Sequence, residues 1–307
     1  MTPCTPALCI HNPHAGSGSS AANRRWLSAN LAEHFGAVQW ASTTDLTEVG
    51  PILKRALPRG LKTVLALGGD GTTHHIVNAL MKLKQEMFPQ EMPAFGVLPF
   101  GTGCDWSRGV NQPLGMKPAL IWLTQAELRK VDIGEVKTDQ SRSFFLNIAS
   151  CGFSGEVAKK IQQLPQKQPW SYFKITLQSV FSHSPAQLRI DVDGHLWFEG
   201  KAAMVACCNG SHFGRGMRIA PNARCDDGWL EVILVPRLDL LNLVRLLPSA
   251  YFGSSFGRGA LHQTQGKQIR ITSDSPLHYE TDGEASSCHF MEISLHPRSL
   301  RTFLPPD

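Results

Sequence analysis

The sequence predicts two domains of different class: an N-terminal α/β domain built on a doubly wound parallel sheet, then a C-terminal antiparallel β-sandwich. Two observations carry this. Through residue 134, short apolar runs alternate with helix-like stretches, and each run ends in a polar or Gly-rich loop. From about Glu135 the helix-like stretches thin out and strand-like runs dominate. Repeated β-loop-α order implies parallel strands covered by helices, whereas hairpin-spaced runs imply antiparallel sheets. A chain of 307 residues has room for about two such domains.

In chain order, Ala7–Asn12 reads as a first strand and ends in NPHAGSGS. A helix is expected around Ala21–Phe35. Ala37–Ala41 is the second strand, ending in STTD, and Asp45 or Thr47 can cap a helix running to about Leu57. Thr63–Leu67 (TVLAL) is continuously apolar, as a parallel strand covered on both faces must be. It ends in GGDGT, and a helix follows to about Lys84. Ala94–Leu98 is the fourth strand, ending in PFGTGCD. The carboxyl ends of parallel strands share one edge, where ligands bind between diverging loops. Three of the four loops are Gly-rich, so bare backbone N–H groups can face phosphate there.

In the second half, Ser143–Ala149, Lys201–Cys208, Trp229–Val235, Lys267–Thr272 and Phe290–Leu295 read as strands. Leu188–Asp193 and His195–Glu199 flank Asp193-Gly194, a type I′ hairpin signal. Helices are expected at Phe153–Leu164, Trp170–Phe181 and Leu238–Tyr251.

Composition removes other classes. Apolar residues make up 42% and charged residues 18%, which is globular and not disordered. The first residues carry no basic, apolar leader pattern. The most apolar stretch, Trp229–Phe252, is broken by Glu231, Arg237, Asp239 and Arg245, so a membrane-spanning helix is not expected. Eight cysteines include no C-x-x-C pair, which argues for reduced thiols and a cytoplasmic protein. The net charge of +5 suits an anionic ligand or membrane surface but does not call for nucleic acid.

The chemistry centres on GGDGT, Gly68–Thr72. Its glycines let backbone approach an anion, Asp70 can orient a divalent cation or a hydroxyl nucleophile, and Thr72 can cap the next helix. The chain has neither G-x-x-x-x-G-K-[ST] nor the protein-kinase motif set. Of two further carboxylate motifs, Asp226-Asp227-Gly228 reads equally as an ordinary turn when taken alone, while Asp282-Gly283-Glu284 favours a functional role over a turn.

Taken in order, the motifs resemble the diacylglycerol kinase catalytic-domain family, which includes bacterial lipid kinases and sphingosine kinases. NPHAGSG at Asn12–Gly18, GGDGT, GTGCD at Gly101–Asp105, NGSHFGRGMRIAPNARCDDGWLEV at Asn209–Val232, DGE at Asp282–Glu284 and the closing HPRSLRTFLP all follow family order. The resemblance implies an ATP-binding domain over 1–134, a sandwich over 135–296 that completes an acceptor cleft, and a segment, 297–307, returning to the first domain. It implies ATP and Mg²⁺ as cofactors. Asn12, Pro13, Gly16, Thr43 or Thr44, Gly68, Gly69, Asp70, Gly71, Thr72, Thr73, His74, Gly101 and Thr102 match nucleotide-contacting positions. Asp70, Asp105 and Asp132 match acidic positions that orient catalytic Mg²⁺. Asp227, with carbonyls at Arg224 and Trp229, matches a second, structural Mg²⁺ site. Glu284 matches the proton acceptor of bacterial members, and Asp70 the base assigned in sphingosine kinases, so both are catalytic candidates.

The chain departs from the family at His74-His75, where Asn-Glu is usual, and at Cys104, where Asn is usual. Surface or supporting histidines are the ordinary reading of the pair. For the acceptor, Lys159, Lys160, Lys167 and Lys174 flank Trp170, Tyr172 and Phe173, a mixture suited to an anionic membrane interface. The Leu-rich stretch Leu238–Leu247 is a second candidate, and core packing is the alternative for both. The expected partner is a lipid at a membrane surface, reached by transient peripheral contact, with a homodimer left open. NAD kinase, which shares GGDGT, and a nucleotide-binding regulator without turnover are the rival functions.

Overall fold

The computed structural model describes residues 7–13, 24–86, 92–164, 169–236 and 261–306. The loop from residue 14 to 23, with Gly16, the candidate helix Leu238–Tyr251 and Lys167 lie outside them, as do the side chains of Trp170, Tyr172 and Phe173. The chain forms two units, one of residues 1–131 with 298–307, the other of 132–297.

In the first unit β1 (Ala7–His11) leads to α1 (Arg24–Phe35), β2 (Val38–Ser42), α2 (Val49–Ala56), β3 (Thr63–Gly68), α3 (Asp70–Glu86) and β4 (Ala94–Pro99). Two short helices that the sequence did not announce follow, α4 (Asp105–Gly109) and α5 (Met116–Gln125). The sheet order is β2-β1-β3-β4, all parallel, with residues near Thr302 pairing parallel to Phe95 on the outer side of β4. Every residue of β1, β3 and β4 is buried, which accounts for their unbroken apolar sequence. A core of Leu27, Leu31, Leu65, Leu67, Leu98, Leu120 and Phe303 covers the sheet. Asp45 caps the turn before α2, its carboxylate accepting from the Thr47 N–H at 2.9 Å.

The chain leaves this unit within β5 (Glu127–Thr138) and continues as β6 (Arg142–Phe145), β7 (Ile148–Gly152), α6 (Phe153–Gln162), α7 (Pro169–Ser182), β8 (Ala186–Val192), β9 (His195–Ala202) and β10 (Met204–Cys208). A small ribbon, β11 (His212–Phe213) with β12 (Met217–Arg218), precedes β13 (Leu230–Val235), β14 (His262–Gly266), β15 (Gln268–Thr281) and β16 (Glu284–Leu304). Strands β5 to β10 and β13 to β16 of the second unit pair antiparallel where described. The Asp193-Gly194 turn has φ of 49° and 82°, the type I′ geometry its sequence predicts.

Two expected strands are broken. Ser143–Ala149 is β6 and the start of β7, interrupted at Leu146-Asn147, where the carboxylate of Asp282 accepts the N–H groups of Leu146, Asn147 and Ile148 at 2.8–3.0 Å. Lys201–Cys208 is the end of β9 and β10, parted at Ala203, whose carbonyl accepts from Phe153 and whose N–H donates to Val235. Both runs are predominantly apolar, with Asn147 the one polar residue inside either of them, so hydropathy gave little sign of the breaks.

Candidate active site

Building from the sheet edge of the first unit, the ends of β3 and β4 are bound together by bare backbone. Gly69 and Gly101 lie so close that a Cβ on Gly101 would come within 2.6 Å of the Gly69 Cα. The Phe100 N–H donates to the Gly68 carbonyl at 2.8 Å. Any side chain at Gly101 would push the two loops apart, which explains the glycines in both motifs.

Asp70 opens α3 and reaches across this contact. Its Oδ2 accepts the Cys104 N–H at 2.8 Å and its Oδ1 accepts the Asp105 N–H at 2.9 Å. These are N–H groups at the start of α4, which have no partner within that helix. Gly103 lets the carboxylate come close, since a Cβ there would overlap Asp70 Oδ2. Asp70 and Asp105 are therefore neighbours, one carboxylate fixed by the other residue's backbone. Thr72 was expected as the cap of α3; the helix instead starts at Asp70, and Thr72 is buried beneath Gly68, against which its side chain packs.

Cys104 takes a left-handed φ of 53°, a conformation that favours Asn and Gly. Its thiol contacts the Gly101 carbonyl at 3.4 Å. Burial, with the Asp70 carboxylate beside it, pushes this thiol up to about 12. It is an inert, neutral group at physiological pH.

The remaining positions of the first unit separate into exposed and engaged groups. Thr44 and Thr102 are exposed, while Thr43 is buried. Thr43 Oγ1 lies 2.6 Å from the Asp45 carbonyl and 2.7 Å from Glu48 Oε2, and it accepts the Asp45 N–H. Thr43 thus builds the loop, and Thr44 is the one of the pair that presents its side chain outward. Asn12 donates its N–H to the Leu67 carbonyl, placing Asn12 and Pro13 beside the end of β3. Thr73 donates its N–H to the Gly69 carbonyl, continuing α3. Of the two ordinary readings of His74, surface or supporting, the structure shows the second: it is buried in α3, with Asn78 Nδ2 at 3.2 Å from its Nε2, and it meets His75 edge-to-face at 5.5 Å.

In the second unit Asp132 is fully buried. Its Oδ2 accepts the Gly228 N–H at 2.7 Å, its N–H donates to the Cys225 carbonyl, and its carbonyl accepts from Asn209 Nδ2. The first two bonds bind the segment around the DDG turn to β5, and the third ties in Asn209. Asp227 accepts the Trp229 N–H at 2.9 Å. Desolvation raises its carboxyl above the usual range; the Trp229 hydrogen bond opposes this and the Asp132 carboxylate adds to it. Arg224 pairs with Asp226 at 3.5 Å, and the ring of the exposed Trp229 lies under Lys267 Nζ at 4.3 Å.

Glu284 begins β16 directly after the Asp282-Gly283 turn, whose φ values of 49° and 91° make it a second type I′ hairpin. The Gly283 N–H donates to Glu280 Oε2, and Ser150 donates to Glu280 Oε1. Asn209 and Asn147 complete the support: Asn209 Nδ2 also donates to the Leu146 carbonyl, and the Asn209 and Gly210 N–H groups both donate to the Asn147 carbonyl. Sequence reasoning missed Asn147 and Glu280. The only available signal was their place beside apolar strand ends, where a polar residue needs a reason to be buried.

Among the described residues no group of three or more His, Cys, Asp or Glu side chains converges as a protein-only metal cage. The donor sets present are hard oxygens in pairs, Asp70 with Asp105 and Asp132 with Asp227, the Asp132 carboxylate adding to the raised carboxyl of Asp227. Such pairs fit Mg²⁺, which keeps several waters and needs one or two carboxylates together with phosphate oxygens. No helix of the described residues is long and apolar enough to cross a membrane.

Comparison with known proteins agrees with this arrangement. Residues 6–136 match the diacylglycerol kinase catalytic domain, and residues 147–304 match the YegS C-terminal NAD kinase beta sandwich-like domain. A "Probable lipid kinase YegS-like" protein of Enterobacter is 27% identical over 300 residues, covering 95% of each chain. Its counterpart in Yersinia pseudotuberculosis is 26% identical over 260 residues, covering 83% of each. Among solved structures, a diacylglycerol kinase from Bacillus anthracis superposes with a TM-score of 0.74 at 20% identity, over 99% of this chain and 97% of that one. An NAD kinase from Archaeoglobus fulgidus, solved with ATP, gives a TM-score of 0.52 at 12% identity, over 98% and 94%. The two family matches cover most of the sequence, in the order of its motifs, and the chain belongs to the diacylglycerol kinase catalytic-domain family of phosphotransferases, with a YegS-type C-terminal β-sandwich.

Proposed function

We propose that this protein is an ATP- and Mg²⁺-dependent lipid kinase acting on the hydroxyl of a diacylglycerol-like, phosphatidylglycerol-like or sphingoid lipid. The observation that carries the reading is the fixed Asp70 carboxylate in a glycine-lined loop at the end of a parallel sheet, in a chain whose curated relatives are named as lipid kinases.

Phosphoryl transfer asks mainly for positioning and charge neutralisation. The backbone of Gly68–Thr73, with Asn12, Pro13, Gly101 and the exposed Thr44 and Thr102, would hold the nucleotide. Asp70, Asp105 and Asp132 would hold Mg²⁺, directly or through water, and Asp227 with the carbonyls of Arg224 and Trp229 would hold a second ion. Bound Mg²⁺ supplies charge neutralisation on the phosphates. Glu284 would take the proton of the acceptor hydroxyl; that oxygen bonds the γ-phosphorus, the bond from the γ-phosphorus to the β,γ-bridging oxygen breaks, and ADP leaves. Asp70, already committed to two backbone N–H groups, is the less available base. The +5 charge and the lysines of α6 and α7 support brief docking on an anionic bilayer at the cytoplasmic side.

The test is incubation with labelled ATP, Mg²⁺ and a panel of lipids in mixed micelles, with NAD in parallel. Label in a lipid product is expected; label only in NADP, or none with an intact fold, sinks the proposal. The choice over NAD kinase rests on the YegS-like relatives and on the NPHAGSG, GTGCD and DGE segments.

A further inference from the structure

α6 lies along the β15–β16 hairpin that carries Glu284. Gly155 packs against the His278 backbone with no room for a Cβ. One turn on, Lys159 is near enough for its charge to act on the His278 side chain, whose Nδ1 is 2.7 Å from Ser287 Oγ. One further turn on, Gln162 donates from Nε2 to Glu284 Oε2 at 3.1 Å. Residues 155, 159 and 162 follow the helical spacing that places side chains on one face. The contact is thus the end of a packed seam and not a chance meeting of two surface chains.

From this geometry we infer that Gln162 is a positioning residue for the carboxylate of Glu284, a role that rests on Glu284 being the base of the proposed reaction. A glutamate on an open strand end has three rotatable bonds, and a base must aim one oxygen at the proton it removes. Holding Oε2 leaves Oε1 for the acceptor hydroxyl. The type of donor matters. An amide orients the carboxylate without carrying a charge, so it does not compete as a lysine would for the negative form. The neighbouring Lys160 is directed elsewhere, its Nζ bonding Ser179 Oγ at 2.9 Å. Gln162 is also the last residue of α6, and the connection to α7 starts beyond it. The group that aims the base therefore stands at the root of the Lys- and aromatic-bearing segment expected to meet the lipid.

The experiment compares the full chain with Gln162→Met and Gln162→Glu, using Mg·ATP and diacylglycerol, phosphatidylglycerol and sphingosine in mixed micelles, across pH. Gln162 is exposed, so thermal midpoints should match wild type. Gln162→Met should lower kcat roughly tenfold with KM for ATP unchanged. Gln162→Glu should move the acidic limb of the kcat profile to higher pH, because a second carboxylate at hydrogen-bond range disfavours the ionised base. Wild-type kcat in Gln162→Met, or an unmoved limb in Gln162→Glu, overturns the inference while wild-type transfer keeps the lipid-kinase reading intact. Absence of wild-type transfer to any of these lipids removes that reading, and this inference with it.

Discussion

Asp70 and Asp105 each open a helix, α3 and α4, and the carboxylate of the first accepts the backbone N–H of the second at 2.9 Å. One bond thereby ties the GGDGT loop to the GTGCD loop. Asp70→Asn keeps the size but offers one acceptor and turns an amide toward the other N–H. The expected result is a loss of about 1–3 kcal/mol of stability in urea unfolding, together with loss of transfer.

Glu284→Gln separates the two candidate bases. The residue is half-buried at a strand end, so stability should change by less than about 0.5 kcal/mol. Lipid phosphorylation should drop roughly 10²–10⁴-fold, the usual range for a lost proton acceptor. Full activity in this variant would hand the role to Asp70.

Asp282 is a structural group inside a catalytic motif. Asp282→Ala leaves the N–H groups of Leu146, Asn147 and Ile148 without their acceptor. Denaturation of this variant should show a loss on the order of 2–3 kcal/mol. Asp282→Glu should recover little of it, since the longer side chain does not fit three converging N–H groups.

Glu135 sets an acid limit on the second unit. It is almost wholly buried, and burial alone would raise its carboxyl. Hydrogen bonds from Arg142 and from His296, the latter at 2.6 Å, outweigh that and hold it below the ordinary value of 4.5. A depressed value means stability fully present above pH 4.5 and lost as pH falls through the folded-state value. Melting curves between pH 6 and 3 should show wild type losing stability toward acid more steeply than Glu135→Gln, which is less stable at neutral pH.

Asp227 has the opposite sign. Its raised carboxyl means that ionisation costs the fold stability as pH rises through the ordinary range, and a divalent cation would offset that cost. Millimolar Mg²⁺ at pH 7 should raise the thermal midpoint of wild type and leave that of Asp227→Asn unchanged; equal responses would remove the site.

Much of this was legible beforehand, for reasons particular residues show. Strands β1, β3 and β4 are buried on both faces, so their composition is distinctive. The Asp193-Gly194 turn was readable because type I′ geometry demands these residue types. The break at Leu146-Asn147 was not, because its cause, Asp282, lies far off in sequence. That Thr43 is engaged and Thr44 exposed was not legible, because it depends on the buried loop geometry. Surface and supporting roles for His74 could not be separated, because a polar residue in the first turn of a helix gives no hint that its face is covered.

β16 runs without interruption from Glu284 to Leu304, and Thr302 in it pairs with Phe95, 207 residues earlier. On a ribosome the N-terminal sheet would therefore emerge with β4 unpaired on its outer side, and would stay so while the sandwich was being made. A bare parallel edge of buried, apolar residues is an invitation to mispairing. Folding of the first unit is thus delayed by the synthesis of the second, and a chain stalled before residue 298 should be a client of chaperones and not a half-finished enzyme.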